Sequence, residues 1–274
     1  MSYLSGLERT ATHQHCTPVR SSTGTRLKLL SYNIQVGIAT RKPRHYVTKS
    51  WRHILPHPER FDNLDHIANL LRDYDIVGLQ EVDAGSLRSN FINLTEYLAE
   101  KAGFPFWHHR INRRFGKIAQ HATGLLSRIR PAKVAEQRLP GLIPGRGFTA
   151  ALYGHGDESL VVFNIHLALS RRVRFEQISY LADLINQYRH VILMGDMNCQ
   201  PDSPELRYLF RRTRLNEPLD QFHTFPSWQP NRNIDHILVT PELKVHRAQV
   251  LKHAFSDHLP ISMELSVPDT VFLL

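Results

Sequence analysis

Cysteine is the first scarcity. Cys16 and Cys199 are the only two in 274 residues, which excludes a disulfide framework and a cysteine zinc site. Both read as free thiols in a reducing compartment. No apolar run approaches the length needed to cross a bilayer, and Met1–Arg26 lacks the apolar core of a secretory signal, so a cytoplasmic protein is the expectation. Negative charge is also in deficit: 25 Asp and Glu against 34 Lys and Arg leave a formal charge of +9. That excess predicts attraction to a polyanion, either nucleic acid or an anionic lipid surface. Low-complexity tracts and an evident linker are missing too. With 42% hydrophobic and 22% charged residues, the composition is that of a globular protein with a sizeable core.

What is present organises itself around Val191-Ile192-Leu193-Met194-Gly195-Asp196-Met197-Asn198. Residues i and i+2 of an extended chain point the same way, so Asp196 and Asn198 are expected to face one site. Alone, the stretch reads as an Asx turn leaving a core strand. Its repetition along the chain changes that reading. After a polar leader over residues 1–25, the run from Arg26 to Asn33 reads as a buried strand ending on Asn33. A basic, aromatic insert with three prolines follows from Arg41 to Arg60, a loop. From Phe61 the apolar spacing turns helical, with Leu64, Ile67, Ala68 and Leu71 on one face. Asp75 to Asp83 is a second strand, ending in Glu81 and Asp83. Residues 89–102 read as a helix capped by Ser89 and stopped by Gly103. Strands are expected around Ala122–Ser127 and Gly147–Tyr153, with a Pro- and Gly-rich connector between them. Leu160 to Leu167 is a strand delivering His166. The next helix buries Ile178, Leu181, Ala182 and Ile185 and leads into the opening stretch.

Strand–helix–strand thus occurs twice with polar residues at the strand ends, and the expectation is one α/β domain of two similar halves over residues 26–267, with a short extension over 268–274. The tail adds Asn233 to Val239, holding Asp235, and Phe255 to Pro260, holding Asp257 and His258. Each of these groups alone has a structural explanation. Six on one edge of a sandwich do not, because unpaired buried charge is costly. Carboxylate and amide oxygens without cysteine suit Mg²⁺ or Mn²⁺. A histidine with a carboxylate partner suits a general base acting on water. Together they describe metal-assisted hydrolysis of a phosphate ester.

The set Ser-Tyr-Asn33, Leu-Gln-Glu81-Val-Asp, Asn-Ile-His166-Leu, Gly-Asp196-Met-Asn198, Ile-Asp235-His-Ile and Ser-Asp257-His258-Leu-Pro resembles the endonuclease/exonuclease/phosphatase superfamily, in unbroken order from about Leu27 to about Leu265. The resemblance implies a four-layer α/β/β/α sandwich of two packed mixed sheets with the site at one sheet edge. It implies Glu81 as principal Mg²⁺ ligand, assisted by Asn33 and Asp257, and His258 as general base held by Asp235. It also implies that Asp196 orients the attacking water, that Asn198 holds a phosphoryl oxygen, and that His166 stabilises the transition state or protonates the leaving group.

Abasic-site enzymes of that superfamily resemble this set but carry tyrosine in place of His166, which argues against that role. For nucleic acid speak the charge and the basic, aromatic stretches, with Arg41, Arg44, Trp51, Arg113, Arg171 and Arg174 as candidate substrate-binding residues. A phosphodiesterase acting on nucleic acid is therefore the expectation. A lipid-headgroup phosphodiesterase of the sphingomyelinase kind, with Trp51 and Leu55 at an anionic membrane, is the alternative, as is a phosphatase of the inositol-phosphate type. A silent phosphate-binding module is disfavoured by the intact metal and base set.

Overall fold

Alternation along the strands decides the layers. In the computed structural model, which describes residues 24–38, 59–141, 145–218 and 223–273, strand β1 (Arg26–Asn33) turns Leu27 and Leu29 one way and Leu30 and Tyr32 the other. Leu30 and Tyr32 meet Leu64, Ile67 and Leu71 of helix α1 (Glu59–Leu71) and Leu94 and Leu98 of helix α2 (Leu94–Ala102). Leu27 and Leu29 face a second sheet. Period 2 on a strand buried on both faces produces this division, and it is why the sequence run is apolar throughout.

The remaining strands are β2 (Ile76–Asp83), β3 (Phe106–Phe115), β4 (Ala119–Ser127), β5 (Lys133–Arg138), β6 (Gly147–Tyr153), β7 (Leu160–His166), β8 (His190–Asp196), β9 (Asp235–Val239), β10 (Lys244–Val250) and β11 (Ile261–Ser266). They form a six-stranded sheet in the order β10-β11-β1-β2-β4-β3 and a five-stranded sheet in the order β5-β6-β7-β8-β9. Among the described strands, only β1 with β2 and β7 with β8 pair in parallel, each pair spanned by one helix: α1 in the first half, α3 (Arg171–Ile185) in the second. Val191 and Leu193 pack beneath α3 and helix α4 (Pro204–Arg212), while Ile192 and Met194 face the other sheet. The protein is therefore a four-layer α/β/β/α sandwich of two similar halves. No helix among the described residues is long and apolar enough to cross a membrane.

Gln80 and Asn164 form a buried polar bridge across the inter-sheet layer. Gln80 Nε2 donates to Asn164 Oδ1 (2.8 Å), and Asn164 Nδ2 to the Gly124 carbonyl (2.7 Å). Gly78 leaves room for it, since a Cβ there would lie 2.9 Å from Asn164 Oδ1.

The second expected helix starts later than the sequence indicates. Its N-cap is Asn93, whose side chain accepts from Thr95 N, and Gly103 ends it with φ 75° as expected. Ser89 instead belongs to a one-turn segment that wraps Asp83. The Asp83 carboxylate accepts from Gly85 N (3.0 Å), Ser86 N (2.7 Å), Ser86 Oγ (2.7 Å), Ser89 Oγ (2.9 Å), Gln120 N (3.2 Å) and Arg88 Nε (2.5 Å). Ser89 Oγ also accepts from Ser86 N (3.2 Å), so its hydroxyl closes this turn and does not open the next helix.

Asp83 and Arg88 are both buried, so removing one strands the other. Burial alone would raise the Asp83 carboxyl, but the Arg88 hydrogen bond and charge, helped by Ser86 and Ser89, hold it below the ordinary range. A depressed carboxylate stabilises the fold above its unfolded value of about 3.9, and that contribution is lost as pH falls through the folded value. Asp83→Asn should cost about 3–5 kcal/mol. Urea unfolding at neutral pH reads the loss, and a second series below pH 4 should show that the variant lacks this acid-dependent limb.

Candidate active site

The parallel strands deliver their C-terminal ends, and the antiparallel strands their N-terminal ends, to one edge of the sandwich. Asn33 ends β1, His166 ends β7, Asp196 ends β8, Asp235 opens β9, and Asp257 and His258 precede β11. Glu81 arrives by a bulge. Between the pairs Leu79–Gly124 and Val82–Ala122, β2 holds one residue more than β4. The extra residue shifts the alternation, so Val77, Leu79 and Val82 all face the helices. Glu81 takes φ 53°, a left-handed backbone that costs an ordinary residue about 1–3 kcal/mol and is found where a side chain must be aimed.

Asn33 joins the two sheets. Its Nδ2 donates to Asp196 Oδ2 (3.1 Å), its Oδ1 accepts from Gln35 N (3.2 Å), and its amide also reaches the Glu81 carboxylate. Ser256 Oγ donates to the Asn33 carbonyl (2.7 Å), which fixes the loop carrying Asp257 and His258. Ser227 holds the same loop, donating through N to the Asp257 carbonyl (2.7 Å) and through Oγ to the Ser256 carbonyl (2.7 Å).

The His258 ring is fixed from both sides. Nδ1 lies 2.8 Å from Asp235 Oδ2, which also accepts from the Thr224 hydroxyl at 2.5 Å, and Phe225 packs 4.8 Å away, centroid to centroid. Nε2 is 4.0 Å from Asp196 Oδ2, and His166 Nε2 is 3.4 Å from the same oxygen. Burial would lower the His258 pKa, but Asp235 first, then Asp196 and Asp257, raise it to about 10. Burial raises Asp196 to about 7, with the Asp235 charge adding to it. His166 moves the opposite way: burial, Arg146 and His258 hold it well below 6.5, so it is a neutral imidazole. Two histidines with opposed ionisation can play different roles in proton transfer.

Asp196, Asp235 and His258 bring one ligand atom each within 4.8 Å of the others, a spacing open to a metal. The hydrogen bonds give these groups another use, since Nδ1 of His258 is committed to Asp235. The better cation donors are Glu81 and Asp257 with the Asn33 amide oxygen. Desolvation raises the Glu81 carboxyl and the adjacent Asp257 charge raises it further, a repulsion that a hard dication with oxygen ligands relieves.

A profile of the endonuclease/exonuclease/phosphatase family matches residues 30–258. The chain belongs to that family. No curated protein matches it significantly. Solved structures of the same fold include a family member from Beutenbergia cavernae, at 21% identity and TM-score 0.68, covering 88% of this chain and 72% of that one. A mannosyl-6-phosphatase of Bacteroides thetaiotaomicron gives 18% and 0.63 over 87% and 99% of the two chains. The human Nocturnin catalytic domain, with a bound sulfate, gives 16% and 0.64 over 89% and 95%. At these identities the likeness is one of fold. Family membership makes the protein a phosphoesterase of the hydrolase class.

The eight residues expected as metal ligands and catalytic groups lie together at this one edge of the sandwich. Asn198 arrives by a different route from the one its spacing indicates. β8 stops at Asp196, and Asn198 turns left-handed (φ 53°), its N donating to Asp196 Oδ1 (2.9 Å) and its Nδ2 to the Leu167 carbonyl (3.0 Å). It is a tight Asx turn, not an extended i, i+2 pair. The expected substrate-binding set is scattered. Arg41, Arg44 and Trp51 lie outside the described residues. Arg113 stands over the Phe115 ring at 4.3 Å, near the site's rim. Arg171 is exposed, 3.8 Å from Glu205. Arg174 binds buried Glu205 (3.0 Å) and the Ala168 carbonyl (3.3 Å), so its guanidinium braces the segment after His166.

Arg146, directly before β6, belongs to none of the sequence motifs. Burial lowers its pKa while the Glu81 and Asp196 charges raise it, so its guanidinium lies among the site carboxylates. Its one local signal is a lone cation between Gly145 and Gly147.

Asp235 is the strongest influence raising His258. In the metal-free protein, Asp235→Asn should lower the His258 titration midpoint from about 10. Imidazole NMR against pH reads this, and an unmoved midpoint would show that Asp235 does not govern the ring.

Proposed function

We propose that the protein is a Mg²⁺-dependent phosphodiesterase with nucleic acid as its first substrate. The observation that carries the reaction is the Asp235–His258 pair set against Asp196, with Glu81 and Asp257 beside it. Glu81, Asn33 and Asp257 would hold Mg²⁺, or Mn²⁺ in its place. When bound, the cation supplies positive charge that stabilises the developing oxyanions and opposes protonation of His258.

The chain's own groups divide the proton work. His258 keeps Nδ1 on Asp235, so Nε2 takes the proton from the attacking water, which Asp196 orients. Neutral His166 donates its N–H to a phosphoryl or leaving oxygen. Asn198 holds a phosphoryl oxygen, and Arg146 pairs with the charge that builds on the phosphate. The preference for nucleic acid rests on the +9 charge and on Arg113 and Arg146 near the site. A lipid-headgroup phosphodiester is the second reading, favoured by exposed apolar side chains at the same edge.

Purified protein should hydrolyse plasmid, single-stranded DNA or RNA with Mg²⁺ and lose all activity in EDTA. His258→Ala should reduce turnover by about 10²–10⁴-fold, the usual worth of a general base. Glu81→Gln should abolish Mg²⁺ dependence together with rate, with both variants folded by circular dichroism. Activity surviving in both variants would refute the site. Turnover of sphingomyelin alone would replace nucleic acid by lipid, and nucleic-acid cleavage should fall steeply with salt.

A further inference from the structure

Ten large hydrophobic side chains are exposed among the described residues, and five of them fall in two short segments. Leu87, Phe91 and Ile92 lie in the loop after β2, and Phe115 and Ile118 at the β3–β4 hairpin. The segments touch along their backbones: Leu87 N donates to the Lys117 carbonyl (2.8 Å) and Arg88 N to the Ile118 carbonyl (3.2 Å). Leu169, 76% exposed and three residues past His166, comes to the same edge from the other sheet.

This exposure is built in. Asn90 and Phe91 hold φ 54° and 60°, a conformation costly for a bulky residue, and Phe91 N bonds the Ser86 carbonyl at 2.8 Å. Ser86 and Ser89 are in turn locked on Asp83, so the loop is anchored from beneath. The result is a rigid turn presenting a phenyl ring that is 62% exposed. Glycine at 91 would carry no strain.

The charge carried by the two segments is of one sign. Arg113, Arg114 and Lys117 flank the patch, and residues 84–92 and 112–121 contain no Asp or Glu. Asp83, the carboxylate that ends β2 before the loop, is spent on Arg88. A rim of apolar side chains ringed by cations matches an anionic bilayer, where the former enter the acyl boundary and the latter meet lipid phosphates. A base-stacking platform fits less well. Leu87, Ile92 and Ile118 have no π-face, and the Phe115 ring is covered by the Arg113 guanidinium and edged by His121.

We propose that the 85–92 loop and the β3–β4 hairpin form a docking surface for an anionic lipid bilayer. It adjoins the site, since Asp83 pairs with His121 only two residues beyond Glu81. Docking therefore brings the mouth of the site to the headgroups. The surface is independent of the reaction assigned above, and its test reads binding.

Cosedimentation should show wild-type protein on vesicles of equal parts phosphatidylcholine and phosphatidylglycerol, and little on phosphatidylcholine alone. Phe91→Asn with Ile118→Ser, in which asparagine tolerates the left-handed backbone, should weaken binding by about tenfold or more. Arg114→Glu with Lys117→Glu should weaken it by at least about fivefold per removed charge. All four positions are at the surface, so thermal unfolding should be unchanged. Absence of wild-type binding, or variants that bind like wild type, would overturn the proposal. So would a single-stranded oligonucleotide, and not vesicles, losing affinity for the variants, or a dimer that the apolar variant dissolves.

Discussion

The hydrogen bond from Asn33 Nδ2 to Asp196 Oδ2 is the constraint on which the site depends. Apolar contacts between two sheets are non-directional and leave their ends free to slide. A buried amide and a buried carboxylate, one from each sheet, allow one register, and a bond to a charged partner contributes about 1.5–3 kcal/mol when formed. Leaving the carboxylate without it costs more. The Gln80–Asn164 bridge repeats the device deeper in the interface. With the strand ends locked, the Ser256 loop can close on Asn33 and place Asp257 and His258 against groups from both halves.

The same edge concentrates backbone strain. Glu81 and Asn198 are both left-handed, at the ends of corresponding strands, β2 in one half and β8 in the other. At Gly195, φ 142° and a Cβ that would fall 2.0 Å from the Ile165 carbonyl oxygen leave glycine as the fitting residue beside Asp196. Each half thus deforms the end of its second parallel strand to turn a polar side chain into the cleft. The cost is offset by hydrogen bonds that exist only in the deformed state, such as Asn198 N to Asp196 Oδ1.

Much of this was legible in the chain, for a physical reason. β1, β2, β7 and β8 are covered on both faces, so they are unbroken apolar runs, and the polar residues that end them stand out against that background. Three of the edge strands have no such contrast. β3, β5 and β10 are rich in Arg, Lys, His and Gln because one side meets solvent, and their pairing is visible only in space. The late start of α2 has the same origin: Ser89 looks like a cap until Asp83, six residues earlier, is seen to claim it. Arg146 is illegible because its meaning lies wholly in carboxylates fifty or more residues away. At Asn198 the residues point to the right side with the wrong geometry, since an i, i+2 pair faces one side both in an extended strand and in a tight turn.

Strand β2 links the cleft to the proposed docking rim without a flexible joint. Past the bulge, Glu81 serves the site, and two residues later Asp83 carries six hydrogen bonds that shape the 85–92 loop. A buried, fully satisfied carboxylate is a stiff anchor, because any tilt of the loop must break charge-assisted bonds within the protein. The rim and the Glu81 carboxylate consequently move as one body. Whatever seats on Phe91 and Ile118 is held at a fixed height and angle relative to Glu81. Such positioning requires a rigid rim more than a tight one.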